Sequence, residues 1–311
     1  MRGRIVKSTG SWSSVRTEDG KITPCKVKGN FRLKGIRSTN PVAVGDWVDF
    51  KMIDDVNGII YNLEKRHNYI IRRSINLSKR GHILASNIDQ ILIFITLRDP
   101  ETTKGFIDRL TISAEAYHIT PILIFNKADL LDESDTDNLI EWLTIYGKLG
   151  YKCIQTSVTE NVNLDEVKAV MKGKTSMLAG HSGTGKSSLI NSISPSLNLK
   201  ISDISESHRQ GKHTTTFAEM YNLDFDAQII DTPGIRGFGI IDMDKKELSH
   251  YFLEMRALLS ECKFNNCQHL NEPECAIKKA VGKGEIAESR FKSYMSIYGE
   301  DENENYRTVD Y

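Results

Sequence analysis

Apolar and polar positions change rhythm along the chain, and each rhythm predicts a different architecture. Over residues 1–68 the apolar residues fall in short runs at Ile5–Ser8, Trp12–Thr17, Lys21–Val27, Trp47–Ile53 and Gly58–Leu63. Aromatic and β-branched side chains interleave there with Gly, Asn and Asp turns, and no segment keeps a helical period. Short strands with basic loops predict a small β-barrel of the OB type, which binds RNA or oligonucleotides on one face; an SH3-like barrel would read the same. A basic connector follows with Arg72, Arg73, Lys79 and Arg80.

Beyond it the runs lengthen. Ile88–Thr96 and Pro121–Phe125 are near-continuously apolar, as expected for strands buried on both faces of a parallel sheet. Phe106, Leu110, Ala114 and Tyr117, then Ile140, Leu143 and Leu149, recur at helical spacing and predict helices over Gly105–Tyr117 and Asp137–Leu149. The alternation continues through Thr175–Ala179, a helix after Lys186, and Gln228–Ile230, which predicts a doubly wound α/β domain. Residues 244–300 read as mostly helical, with Leu248, Tyr251, Phe252, Met255, Leu258 and Leu259 in one apolar stripe. The segment 301–311 is acidic and Asn-rich and is expected to be disordered.

Candidate chemistry sits at the ends of the buried runs. Gly180-His-Ser-Gly-Thr-Gly-Lys-Ser187 follows the strand Thr175–Ala179 and opens a helix, the context of a phosphate loop. Its glycines let backbone amides turn towards a β-phosphate, and the helix N-terminus adds partial positive charge. Gly180, His181, Ser182, Gly183, Thr184, Gly185, Lys186, Ser187 and Ser188 are therefore expected to contact the nucleotide. Lys186 should bridge the β- and γ-phosphates, and Ser187 should offer its hydroxyl to Mg²⁺. Asp231-Thr-Pro-Gly234 closes a second buried run: Asp231 faces the metal, and the Gly234 amide can reach the γ-phosphate. Between the two lies Gly211-Lys-His-Thr-Thr-Thr216, where one of Thr214, Thr215 or Thr216 should sense Mg²⁺ and the γ-phosphate; Thr215 is taken as the ligand.

Asn126-Lys127-Ala128-Asp129 has the NKxD pattern. The Asp129 carboxylate can accept both N–H groups of the guanine edge, which adenine does not present, and the Lys127 stem can cover the base. Gln155-Thr156-Ser157 resembles the short motif whose backbone contacts guanine O6, which brings Ser157 to the site. Guanine specificity thus precedes the phosphate loop in the chain, the reverse of the usual order, so the nucleotide domain reads as circularly permuted. After Gly234 the chain runs through Gly237 and Gly239 into a helix near Asp244, which would link the switch segment to the C-terminal module. Ile235 stands where many GTPases carry a water-orienting glutamine, so unaided hydrolysis should be slow. His213 is the nearest imidazole in sequence and is the candidate to assist, against the plainer reading of a structural or exposed histidine.

Charge and cysteines add two partners. The chain carries 41 Lys+Arg and 41 Asp+Glu, but residues 1–80 hold 17 against 7 and the remainder 24 against 34. A basic N-terminal module on a neutral chain suggests a polyanion such as nucleic acid, with a solvated lysine-rich surface as the alternative. Cys262-x4-Cys267-x-His269-x5-Cys275 offers three thiolates and one imidazole, a closed set typical of one structural zinc. Cys25 and Cys153 read as small core residues. Met1-Arg-Gly-Arg-Ile lacks the apolar core of a secretory leader, and the longest apolar run, Ile91–Ile95, is too short to span a membrane. A cytoplasmic monomer without a membrane partner is expected.

The segments predict a multidomain α/β protein. They are an N-terminal OB-type β-barrel for RNA (1–68), a circularly permuted P-loop GTPase domain (69–243) and a C-terminal helical zinc-binding domain (244–300). With these motifs in place, the chain resembles the bacterial ribosome small subunit-dependent GTPase A family, the RsgA or YjeQ type. The resemblance runs from Gly45-Asp46-Trp47-Val48 through Ala85-Ser-Asn-Ile-Asp89, Asn126–Asp129, Gly180–Ser187, Gly211–Thr216 and Asp231–Gly234 to Cys262–Cys275. It implies a GTP hydrolase, stimulated by the ribosome, that acts late in maturation of the small (30S) subunit and meets its 16S rRNA. It also carries GTP contacts onto Asn126, Lys127, Asp129, Gly180–Ser187, Asp231 and Gly234, and zinc onto Cys262, Cys267, His269 and Cys275. Thr184 stands where Val is common and Lys212 where Arg is common; neither change removes a required group. Two other classes remain distinct: a P-loop ATPase, against which Asp129 argues, and a non-catalytic RNA-binding scaffold, which turnover would exclude.

Overall fold

The computed structural model describes residues 1–9, 11–28, 41–72, 82–197, 199, 218–231 and 244–300. At the N-terminus, β1 (Arg2–Ser8), β2 (Ser13–Arg16), β3 (Ile22–Val27), β4 (Trp47–Met52) and β5 (Gly58–Leu63) follow the alternating runs closely. They pair in the order β1-β2-β3-β5-β4, and β4 returns to β1, so the strands close. β3 and β5 run parallel while the other pairs are antiparallel. This closed order settles the barrel as the OB type. Its interior is the period-two set Ile5, Val15, Cys25, Val48, Phe50 and Ile60.

A hairpin of β6 (Tyr69–Arg72) and β7 (His82–Ser86) leads into the α/β region. There β8 (Gln90–Ile95), α1 (Lys104–Ala116), β9 (Thr120–Phe125), α2 (Glu133–Lys148), β10 (Lys152–Gln155), α3 (Leu164–Met171), β11 (Thr175–Ala179), α4 (Lys186–Ile193), β12 (Glu219–Leu223) and β13 (Ala227–Asp231) follow in turn. The sheet order is β10-β9-β8-β11-β13-β12, parallel except for β12. Alternate residues of β8 feed two cores. Ile91, Ile93 and Ile95 meet α1 and α2 on one face. Leu92 and Phe94 meet α3 and α4 on the other. That two-sided burial is why these strands read as continuous apolar runs. α1 starts at Thr103, whose hydroxyl accepts from the Phe106 amide, and α2 starts earlier than its apolar spacing shows because Asp132 and Asp135 form a capping box.

β12 continues the sheet into the barrel, since Lys7 of β1 pairs with Glu219. Beyond residue 243 the apolar stripe is not one helix. A 3₁₀ segment Lys245–Tyr251, α5 (Leu253–Arg256) and a further 3₁₀ turn Leu259–Glu261 replace it, because Phe252 takes an extended backbone (φ −89°, ψ 108°). The break lets Leu248, Phe252 and Met255 converge with residues of α6 (Ala276–Gly282) and α7 (Glu288–Gly299) on one small core. Ile112 of α1 belongs to that core, so the C-terminal module is seated on α1. The tail 301–311 expected to be disordered lies outside the described residues.

Candidate functional site

The phosphate loop leaves the fully buried strand β11 and enters α4. Gly180 turns with φ 142°, and a Cβ there would lie 2.7 Å from the Phe94 carbonyl oxygen, so only glycine fits against β8. Gly185 turns with φ 87°, and its Cβ would strike the side-chain amide of Asn126. The second crowding joins the two halves of the site. Asn126 Nδ2 donates to the Thr184 carbonyl at 2.8 Å, and its Oδ1 accepts from Thr156 Oγ1 at 2.9 Å. One buried carboxamide thus ties the segment after β9, the segment after β10 and the phosphate loop together. Asn126, Thr156 and Thr184 are all buried, so each bond is made away from water, where leaving it unmade is costly.

Lys186 Nζ lies over the loop and donates to the carbonyls of Gly180 (2.9 Å) and His181 (2.5 Å). Ser187 is buried at the start of α4, with Ser188 beside it half-buried, and Ser182 and Gly183 lie at the loop's outer turn. His181 stacks its ring on Phe106 of α1, centroids 3.9 Å apart. Asp231 ends β13, the strand beside β11, with Ile230 in register with Met177. His213, Thr214, Thr215, Thr216, Gly234 and the linker glycines 237 and 239 lie outside the described residues.

On the base side, Asp129 is exposed on the turn after Asn126 and accepts from Ser157 Oγ at 2.6 Å. That hydrogen bond holds its carboxyl below the ordinary aspartate range, so it stays ionised as an acceptor of N–H groups. Lys127 adopts φ 62° and donates to the Asp99 carbonyl, which fixes its stem along the rim. Spacing marks Phe106 only as a helix position and Thr156 only as the middle of Gln155–Ser157; the Thr156 anchor of Asn126 and the stacking of Phe106 on His181 depend on strand order, which brings distant loops together.

The second cluster is compact. The ligand atoms of Cys262, Cys267, His269 and Cys275 all lie within 4.8 Å of one another and could hold a metal ion. His269 Nδ1 is 3.7 Å from Cys262 Sγ and 3.4 Å from Cys275 Sγ. A tetrahedral ion with Zn–S of about 2.3 Å and Zn–N of about 2.0 Å separates sulfur from nitrogen by about 3.5 Å. Burial pushes the Cys267 thiol up to about 12 and holds His269 below its ordinary value, so the imidazole is neutral as a ligand must be. A cation here would offset the cost of a buried thiolate.

A family model for the RsgA GTPase matches residues 63–241, and another for the RsgA N-terminal domain matches residues 2–60. The chain belongs to the RsgA GTPase family. It is 55% identical to the small ribosomal subunit biogenesis GTPase RsgA of Flavobacterium johnsoniae, with 100% of this chain and 96% of that protein aligned. The protein of that name from Christiangramia forsetii is 52% identical, over 100% of this chain and 99% of its own. Among solved structures, YjeQ from Thermotoga maritima superposes with a TM-score of 0.77 at 35% identity, covering 96% of each chain. YloQ, described as a circularly permuted GTPase, superposes at 0.73 with 29% identity, covering 96% of this chain and 93% of its own. As an RsgA GTPase the chain is a GTP-hydrolysing enzyme with the permuted order read from its motifs. No helix among the described residues is long and apolar enough to cross a membrane.

Proposed function

We propose that this chain hydrolyses GTP on the small (30S) ribosomal subunit, where it assists or checks late maturation and contacts 16S rRNA. The observation that carries the nucleotide half is Asn126, whose amide joins the guanine segment to the phosphate loop. Asn126, Lys127, Asp129 and Ser157 take the guanine. The amides from Gly180 to Ser188 take the phosphates, and Gly234 takes the γ-phosphate. Lys186 neutralises charge that develops between the β- and γ-phosphates. Ser187, Asp231 and Thr215 are the oxygen donors for Mg²⁺, which when bound offsets phosphate charge. His213 is the group proposed to assist water in place of glutamine. Product GDP leaves from the same contacts.

The subunit half of the reading is supported by the names of the relatives and by the basic excess of residues 1–80. The four-residue cluster holds a structural zinc, as its thiolate-rich, closed donor set favours. A monomer suffices, since one chain carries barrel, nucleotide site and metal cluster, and the reading places it in the cytoplasm. Two binding measurements test it. GTP should bind more tightly than ATP, and Asp129→Asn should relax that preference; equal affinities in the unaltered protein would return the P-loop ATPase reading. Association with small subunits should weaken steeply with salt and be lost on deletion of residues 1–68 while GTP affinity persists. Salt-insensitive docking would contradict the rRNA contact.

A further inference from the structure

The C-terminal module and the phosphate loop touch the same helix. At its first turn, α1 presents Phe106 to the ring of His181, 3.9 Å between centroids with an interplanar angle of 26°. Next along the helix, Asp108 is fully buried and accepts from Arg290 Nη1 of α7 at 2.7 Å. Arg290 turns its other edge to Glu254, with bonds of 2.7 and 3.2 Å, and lies 4.7 Å over the ring of Phe252. Tyr146 Oη of α2 donates to the same oxygen, Asp108 Oδ1, at 2.8 Å. At Gly105 the helix is close enough to α7 that a Cβ would sit 4.0 Å from Ser293 Oγ. The C-terminal module therefore grips α1 immediately beside the residue that meets the phosphate loop.

What His181 does in that loop makes the contact matter. Its carbonyl accepts from Lys186 Nζ at 2.5 Å and from Thr184 Oγ1 at 2.9 Å, and Thr184 in turn accepts from Asn126 through its own carbonyl. A shift of the His181 ring moves the peptide that holds the lysine ammonium and the threonine. Stacked planar rings resist sliding and tilting more than an aliphatic side chain of equal bulk, so the Phe106 ring is a stop against which the loop rests.

We propose that Phe106 is a positioning residue for the phosphate loop, and that the C-terminal module sets the placement of Phe106 through the Arg290 grip on Asp108. The proposal rests on the GTPase reading above and deepens it. A change in how the C-terminal module is held, as on docking to a partner, is felt at the nucleotide through α1, independently of the chain segment that follows Asp231.

The test measures the dissociation constant of a fluorescent GTP analogue and steady-state GTP hydrolysis in the full-length protein and its variants. Phe106→Leu should weaken binding and raise KM about five-fold, leaving kcat within about two-fold, because the loop contacts ground and transition states alike. Phe106→Tyr, which keeps the ring, should restore both, while melting temperatures of the two variants match. Arg290→Lys, which keeps the charge but not the fork, should weaken binding about three-fold. The double variant Phe106→Leu/Arg290→Lys should be no worse than about six-fold, short of the about fifteen-fold product expected of independent sites. If Arg290→Lys does not fold, Phe252→Leu, which removes the ring beneath the guanidinium, takes its place in the cycle. Unchanged affinity in Phe106→Leu, or equal loss in Phe106→Tyr, overturns the positioning role; a fully multiplicative double variant overturns the grip. An unaltered protein that binds no GTP overturns the underlying GTPase reading as well.

Discussion

The barrel and the C-terminal module each insert one arginine into the nucleotide domain, with opposite electrostatics. Arg4 of the barrel is met by neutral acceptors: the carbonyls of Gly45 and Asn87, Thr175 Oγ1 at 2.9 Å and Gln228 Oε1 at 2.5 Å. Burial pulls its guanidinium down to about 10 despite nearby Asp89. Arg290 is more deeply buried, and burial opposes its charge too, but the carboxylates of Asp108 and Glu254 outweigh that and raise it. The barrel seat is thus a hydrogen-bonded plug beside a continuous sheet, whereas the C-terminal seat is a buried charge cluster within a shared apolar core. Removal separates the two seats: without Arg4, the Gly45 carbonyl keeps Asn87 Nδ2 and Gln228 Oε1 keeps Thr175 Oγ1, while carboxylates that lose Arg290 are buried charges without a counter-ion.

Stripping the metal should do most, because the C-terminal module has a small core and structural zinc sites contribute on the order of 10 kcal/mol. Elemental analysis should find one zinc per chain, and chelation or Cys267→Ser should expose residues 250–300 to protease while the barrel stays protected. Arg290→Met should cost about 3–5 kcal/mol in denaturant unfolding, and joint replacement of Arg290, Asp108 and Glu254 by apolar residues should recover most of it. Arg4→Met should cost about 2 kcal/mol, since it removes hydrogen bonds to neutral acceptors but strands no charge; a loss equal to that of Arg290→Met would erase the distinction. Smallest of all, Lys7→Ala breaks the half-exposed pair with Glu219 across β1 and β12 and should cost about 0.5 kcal/mol, less at high salt.

These two seats also mark where sequence reasoning reaches and where it stops. The doubly wound sheet was legible because two-sided burial writes itself as unbroken apolar runs at β8, β9 and β11. The phosphate loop, Asn126–Asp129 and the cysteine cluster were legible because their chemistry needs fixed residue types at short spacings. β10 and the β6–β7 hairpin carry weaker patterns because their strands are short, and β12 because it mixes buried, half-buried and exposed positions instead of one apolar run. The stripe 248–259 did not show where its helical turns break, because burial by convergence gives the same apolar spacing as one amphipathic face, and Phe252 breaks it. Arg4 and Arg290 look like ordinary basic residues in the sequence; their partners lie far along the chain and only topology brings them near. The Asn126 anchor to Thr184 and Thr156 belongs to the same class.

Steady-state GTP hydrolysis with and without purified small subunits, with large subunits as the control, tests whether this chain is a GTPase answering to the small ribosomal subunit. Turnover should be slow alone, strongly stimulated by small subunits, unaffected by large ones, and lost in Lys186→Ala. Turnover that is unchanged by small subunits, or absent in their presence, would contradict that reading.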